Sequence, residues 1–179
     1  MIRTYHRRRI LTGLVLAVAV LGTACTSADA DEAGDHGGQA QDAELAPAFT
    51  IPTSDGGTFS LDEHLATDGR PVFLNLWASW CFPCREEMPA IDAASIAHPE
   101  VAFIGVDVRD SRSDAEDFLH EIGITYLVGF DENDEVDIKY KPLGLPASYI
   151  ISSEGVIVER IFGVVTEADL AAKFAEHFE

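Results

Sequence analysis

The chain has 179 residues, 47% of them hydrophobic, and a formal net charge of −19. This length and hydrophobic content are enough for one compact core once a leader and a tether are set aside. Four arginines and no acidic residue precede residue 25, so the rest of the chain has 8 basic and 31 acidic residues, a net charge of about −23. Such acidity argues against nucleic acid and anionic lipid headgroups as partners.

Residues 1–24 have the organisation of an export signal. A basic segment, 1–9, precedes a mostly apolar run, 10–21, and small residues at 22–24 lead to Cys25. Because the run is shorter than the roughly 20 residues that cross a bilayer, a cleaved signal peptide is predicted. The end of the leader resembles a bacterial lipobox, although Gly22 stands where a bulky aliphatic residue is usual. Cys25 is therefore the predicted lipidation site, with ordinary cleavage as the alternative.

Residues 25–44 are predicted to be a flexible tether. After Cys25 they contain no bulky apolar side chain and are rich in Ala, Asp, Glu and Gly, so they cannot form a core. Residues 45–179 are predicted to fold as one domain. The expected location is outside the cytoplasm, on the cell membrane and held there by a lipid.

The folded part alternates strand and helix patterns. In chain order these are a hairpin (47–51 and 58–61), a helical turn (61–65), a buried strand (71–77), a helix with an internal proline (82–97), a buried strand (101–108), a helix capped by Ser113 (113–122), a strand (127–130), a hairpin (147–162) and a helix (166–178). This order predicts an α/β fold with a mixed sheet between helices. A functional site is expected beyond the carboxyl end of a central strand.

Cys81 and Cys84 lie at that place, separated by two residues at the start of a predicted helix. A helix N-terminus favours a thiolate, so Cys81 is the predicted nucleophile and Cys84, one turn deeper, the resolving thiol. Pro83 lies in the first turn, where its missing N–H costs nothing. A zinc half-site and a static disulfide are the alternatives, but the six histidines lack zinc-site spacing. No metal is predicted, and no cofactor other than the redox-active disulfide.

Residues 74–89, with the sequence LNLWASWCFPCREEMP, are similar almost position by position to the TlpA/ResA-like membrane-anchored branch of the thioredoxin superfamily. The segment Gly144-Leu145-Pro146 and an N-terminal hairpin of the AhpC/TSA (peroxiredoxin) type extend the resemblance over residues 45–178. The resemblance implies a thioredoxin-like three-layer fold, in which helices flank a central mixed β-sheet and an N-terminal β-hairpin is added.

The resemblance also implies roles for individual residues. Pro146 corresponds to the family's cis-proline, and Leu145 to a residue whose backbone pairs with substrate. Ordinary thioredoxins have a buried aspartate where this chain has Asn75, so another base is needed. Glu87 lies on the helix face of Cys84 and matches the acid of the ResA-like branch, with a solvated surface position as the alternative.

Further positions around the cysteines are assigned by their place in the motif. Trp80, Phe82 and Pro83 are predicted to contact substrate. Trp77 is expected in the core, and Glu86 is expected on the surface because it points away from the face of Cys84.

The activity implied by the resemblance is thiol–disulfide exchange through the WCxPC pair. The expected protein is a monomer that reduces disulfides of exported proteins such as apocytochrome c, and a membrane thiol donor of the CcdA or DsbD kind would recharge it. The alternatives are a thiol peroxidase, an oxidant that introduces disulfides, and a redox-inactive metal-binding module. The peroxidase alternative lacks the PxxxTxxC context, because residues 74–81 contain neither proline nor threonine.

Overall fold

The computed structural model describes residues 43–178. The predictions for the leader, for Cys25 and for most of the tether lie outside the described residues. No helix within residues 43–178 combines the length and the apolar character needed to cross a membrane.

Strands and helices alternate along the described part. In chain order they are β1 (Thr50–Pro52), β2 (Thr58–Ser60), α1 (Leu61–Thr67), β3 (Val72–Trp77), α2 (Phe82–Ala97), β4 (Ala102–Asp107), α3 (Arg112–Ile122), β5 (Leu127–Phe130), α4 (Glu135–Tyr140), β6 (Ala147–Ile151), β7 (Ile157–Phe162) and α5 (Glu167–Phe178).

The central sheet has five strands in the order β5-β4-β3-β6-β7. Strands β3, β4 and β5 run parallel, and β6 and β7 are antiparallel to their neighbours. The β1–β2 hairpin forms a separate two-stranded sheet. The predicted mixed sheet and the predicted N-terminal hairpin are therefore both confirmed.

The core has two halves, one on each face of the sheet. All six residues of β3 are buried, as predicted for a strand covered on both faces. Phe73 and Trp77 pack with α2, α3 and α5, whereas Leu74 and Leu76 pack with α1, α4 and the hairpin. The alternation of side chains along β3 thus explains why this part of the chain has three layers.

Two details of the helices differ from the prediction. The cap of α3 is Ser111 and not Ser113, because the Ser111 hydroxyl accepts the backbone N–H of Asp114 at 3.2 Å. Helix α4 was not predicted, since six residues are too few for a clear periodicity. Its N-terminal N–H groups, of Val136 and Asp137, donate to the Asp131 carboxylate, which lies outside the helix.

Candidate active site

The two cysteines meet where β3 passes into α2. A tight turn follows β3, and the Cys81 N–H donates to the carbonyl of Ala78 at 3.0 Å. Cys81 is the N-cap residue of α2, and Cys84 lies in its first turn. The two form a disulfide with their Cα atoms 5.3 Å apart. The predicted pairing at a helix N-terminus is therefore what the structure contains.

Exposure and electrostatics distinguish the two sulfurs. Cys81 keeps 4% of its surface exposed, whereas Cys84 is fully buried. The Cys84 N–H donates to the Cys81 sulfur at 3.2 Å, and the first turn of α2 contains no acidic residue. A negative charge on Cys81 would thus be stabilised by a backbone donor and by the helix dipole.

Apolar side chains project beside the disulfide. Trp80 and Phe82 are 60% and 69% exposed, and Pro83 is also exposed. The Trp80 indole N–H donates to the carbonyl of Arg109 at 3.0 Å, which orients an otherwise exposed ring. Two cavities of about 280 and 400 Å³ lie elsewhere, and neither is lined by these side chains or by the cysteines.

Strand pairing brings the proline segment to the same edge of the sheet. The Leu145–Pro146 peptide is cis, as predicted. Ala147 pairs with Leu76 near the end of β3, so Pro146 lies beside the turn that leads to the cysteines. Leu145 is half-buried and packs against the core cluster that includes both cysteines.

Glu87 lies about one helical turn after Cys84 on α2 and is fully buried. Its Oε1 accepts the side-chain N–H of Asn75 at 2.8 Å, and its Oε2 accepts the backbone N–H of Val165 at 3.0 Å. Asn75 also donates to the hydroxyl of Ser148 at 3.0 Å. The solvated alternative for Glu87 is therefore wrong, whereas Glu86 is exposed and Trp77 is buried, both as predicted.

Burial raises the pKa of Glu87 from 4.5 to about 7, although the hydrogen bonds from Asn75 and Val165 act in the opposite direction. A carboxyl group with this pKa exchanges its proton readily near neutral pH. Cys84 and Glu87 are three residues apart on α2, on neighbouring positions of one helix face. The arrangement places a proton acceptor one helical turn from the buried thiol.

Sequence reasoning missed Ser148 and the Val165 N–H as partners of this carboxyl network. A signal for Ser148 does exist, because Asn75 and Ser148 are polar residues within otherwise apolar buried strands. The structure pairs them directly across β3 and β6.

Within residues 43–178, no group of three or more His, Cys, Asp or Glu side chains is arranged as a metal site.

Comparison with known proteins adds independent evidence. The family model described as AhpC/TSA family matches residues 43–160. Thiol-disulfide oxidoreductase ResA of Bacillus thuringiensis (strain Al Hakam) is 30% identical over 127 residues, which cover 70% of this chain and 72% of the relative. Thiol:disulfide interchange protein DsbE of Pseudomonas fluorescens biotype C is 31% identical over 133 residues, 72% of each chain.

A solved structure supports the same assignment. The crystal structure of StoA from Bacillus subtilis aligns with a TM-score of 0.61 and 25% identity, over 70% of this chain and 95% of that one. The chain belongs to the AhpC/TSA family, and it is a thiol–disulfide oxidoreductase of the ResA/TlpA-like branch with the thioredoxin-like fold.

Proposed function

We propose that the protein reduces disulfides of exported proteins outside the cytoplasm. In this proposal Cys81 is the nucleophile, Cys84 is the resolving thiol and Glu87 accepts the proton of Cys84. The observation that carries the proposal is the cysteine pair at the N-terminus of α2, with a buried carboxyl group of raised pKa one turn below it.

The reaction begins with the reduced dithiol. The Cys81 thiolate attacks one sulfur of a substrate disulfide, so a mixed disulfide forms and the other substrate sulfur leaves as a thiolate. Cys84 then loses its proton to Glu87 and attacks the Cys81 sulfur. The Cys81–Cys84 disulfide closes and the second substrate sulfur is released, which moves two electrons from the protein to the substrate.

A polypeptide substrate fits the surface around Cys81. Trp80, Phe82 and Pro83 offer exposed apolar contacts, and the Leu145 backbone lies beside the turn for pairing with an extended segment. The two cavities of about 280 and 400 Å³ are lined by neither cysteine, so neither would bring a small molecule to Cys81. Apocytochrome c with an oxidised cysteine pair is a substrate of the proposed class.

The cellular setting belongs to the same proposal. A signal peptide at residues 1–24 and a lipid on Cys25 would place the domain on the outer face of the cell membrane, as a monomer on a tether of residues 25–44. A membrane thiol donor of the CcdA or DsbD kind would return electrons to the Cys81–Cys84 disulfide. The basic and apolar segments of residues 1–21 and the small residues before Cys25 support this setting.

Two cysteine variants test the mechanism. Cys81→Ala should abolish reduction of a disulfide-bonded peptide because it removes the attacking sulfur. Cys84→Ala should accumulate a mixed disulfide with that peptide, which non-reducing electrophoresis and mass spectrometry detect. Full activity of Cys81→Ala, or a Cys84→Ala protein that never traps the peptide, would overturn the assignment.

A thiol peroxidase is the second candidate, favoured by the β1–β2 hairpin of peroxiredoxin type and by the AhpC/TSA family match. In that mechanism Cys81 reacts with peroxide before any second thiol takes part. Consumption of hydrogen peroxide by the Cys84→Ala variant, at the rate of the unmodified protein, would favour it. Peroxide left unconsumed while disulfides are reduced would exclude it.

A further inference from the structure

The loop between β4 and α3 holds the turn that carries Cys81. The Ser79 N–H donates to Oδ2 of Asp110 at 2.6 Å. The indole of Trp80 donates to the carbonyl of Arg109 at 3.0 Å. Ser79 and Trp80 directly precede Cys81, so this loop holds the backbone at Ser79 and the side chain of Trp80.

Asp110 lies beside a second carboxyl group. Its other oxygen, Oδ1, accepts the N–H of Ser111 at 2.8 Å. Asp107, at the end of β4, is buried, and it lines the same cavity of about 20 Å³ as Asp110. Two carboxyl groups at one such site hold a proton between them, because two negative charges there would repel each other.

Asp107 is the member of the pair that holds this proton. It is 4% exposed, and its Oδ1 has no hydrogen-bond partner among the described residues. Burial, followed by the charge of Asp110, the hydrogen bond to it and the charge of Asp131, raises the pKa of Asp107 from 3.8 to about 8. Near neutral pH Asp107 therefore carries a proton.

The charged groups around Asp107 offer little compensation if that proton leaves. Asp110, Arg112, Asp131 and Glu132 share with it the walls of a cavity of about 20 Å³. Arg112, the cation in that group, is already paired with Glu116 and Glu132 at 2.9 and 2.8 Å. Ionisation of Asp107 would thus add a buried carboxylate beside Asp110 and Asp131.

We propose that Asp110 is a positioning residue for Cys81, and that the proton shared with Asp107 keeps Asp110 bound to the Ser79 N–H. Loss of the proton drives the two carboxylates apart and loosens the turn before Cys81. The consequence for disulfide reduction rests on the proposed function, whereas the hydrogen bonds of the turn are independent of it.

The test measures the alkylation rate of Cys81 by iodoacetamide in the reduced protein with Cys84→Ala, read by mass spectrometry of the Cys81 peptide. Asp107→Asn supplies a permanent amide donor to Asp110. The alkylation rate of the Asp107→Asn protein, divided by that of the protein that retains Asp107, should be close to one at pH 7 and about three or more at pH 9.5. Asp117→Asn, an exposed control on α3, should give a ratio of one at both pH values.

A second pair of variants tests Asp110 directly. Asp110→Ala should slow alkylation of Cys81 at pH 7 by about tenfold. Asp110→Asn keeps an acceptor for the Ser79 N–H, so its alkylation rate should stay within about twofold of that of the protein that retains Asp110. An Asp107→Asn ratio that is equal at both pH values, or an Asp110→Ala protein as fast as the parent, would overturn the inference.

Alkylation needs no protein substrate, so the two proposals fail separately. If the protein reduces disulfides but the Asp107→Asn rate ratio is the same at both pH values, the proposed function stands and the positioning role is overturned. If the protein does not reduce disulfides but the ratio rises at pH 9.5, the proposed function is overturned and the positioning role stands.

Discussion

At the scale of single residues, the site depends on a carboxyl group in an apolar surrounding. Glu87 has no exposed surface, and its two oxygens have one donor each, from Asn75 and from Val165. Two hydrogen bonds do not replace the hydration that a carboxylate has in water, so the pKa of Glu87 rises to about 7. In the proposed mechanism Glu87 accepts the proton of Cys84, one helical turn away on α2.

Replacement of Glu87 by glutamine should slow the resolving step. In the unmodified protein, resolution of a mixed disulfide should accelerate as pH rises through about 7, because Glu87 accepts a proton only when ionised. Glu87→Gln should lose this acceleration and be slower at pH 8 by at least about tenfold. Rapid-mixing kinetics measure the step, and the exposed Glu86→Gln is the matched control. An unchanged pH–rate profile would remove Glu87 from the mechanism.

The same carboxyl group should make stability depend on pH. The pKa of Glu87 is about 7 in the folded protein and 4.5 as the ordinary value, so the folded state binds the proton more tightly. The free energy of unfolding should therefore decrease as pH rises from about 4.5 to about 7, by about 3 kcal/mol from this group.

Glu87→Gln should remove that part of the pH dependence. The pKa of Asp107 is also raised, so Asp107 adds to the pH dependence of the free energy of unfolding in the unmodified protein and in Glu87→Gln alike. The difference between the two proteins therefore isolates the contribution of Glu87. Denaturant unfolding of the oxidised proteins between pH 4.5 and pH 8 measures it. Parallel curves for the two proteins would contradict the buried-acid description.

At the scale of elements, helix starts place the functional groups. Cys81 caps α2, and Ser111 caps α3 directly after the loop that contains Asp110. The start of α3 could not be located to the residue from sequence, because serines occur at both 111 and 113. Helix α4 has six residues, too few for a clear periodicity, and its N-terminal donors are bound by Asp131, four residues before the helix.

Alanine substitutions distinguish the two serines. Ser111→Ala should lower the free energy of unfolding by about 1 kcal/mol, because it removes the acceptor for the Asp114 N–H. Ser113→Ala should cost less than about 0.5 kcal/mol at its exposed position. Denaturant unfolding of both variants gives the comparison, and a larger loss at position 113 would restore the cap expected from sequence.

At the scale of the molecule, local patterns predicted the fold and long-range contacts completed the site. The strand of residues 72–77, the helix that follows and the cis-proline were all recognisable within short stretches of sequence. The contact between Asn75 and Ser148 joins residues 73 positions apart, and that between Glu87 and Val165 joins residues 78 apart. Such contacts depend on strand register and loop path, which no short pattern encodes.

The Asp107–Asp110 pair illustrates the same point. Asp107 lies at the end of the stretch 101–108 that the sequence predicts as a buried strand, and Asp110 lies in the polar segment that follows. The structure shows that both line one small cavity at the end of β4. A local pattern indicates the buried strand but not that these two carboxyl groups meet.

The proposed function makes the protein an electron donor to substrate disulfides, and its reduction potential tests that proposal most directly. Equilibration of the Cys81–Cys84 pair in graded thiol buffers, with the two forms separated after alkylation, measures it. We predict a potential close to that of thioredoxin, about −270 mV. A reduction potential of about −120 mV, as in the oxidant DsbA, would contradict the reducing role.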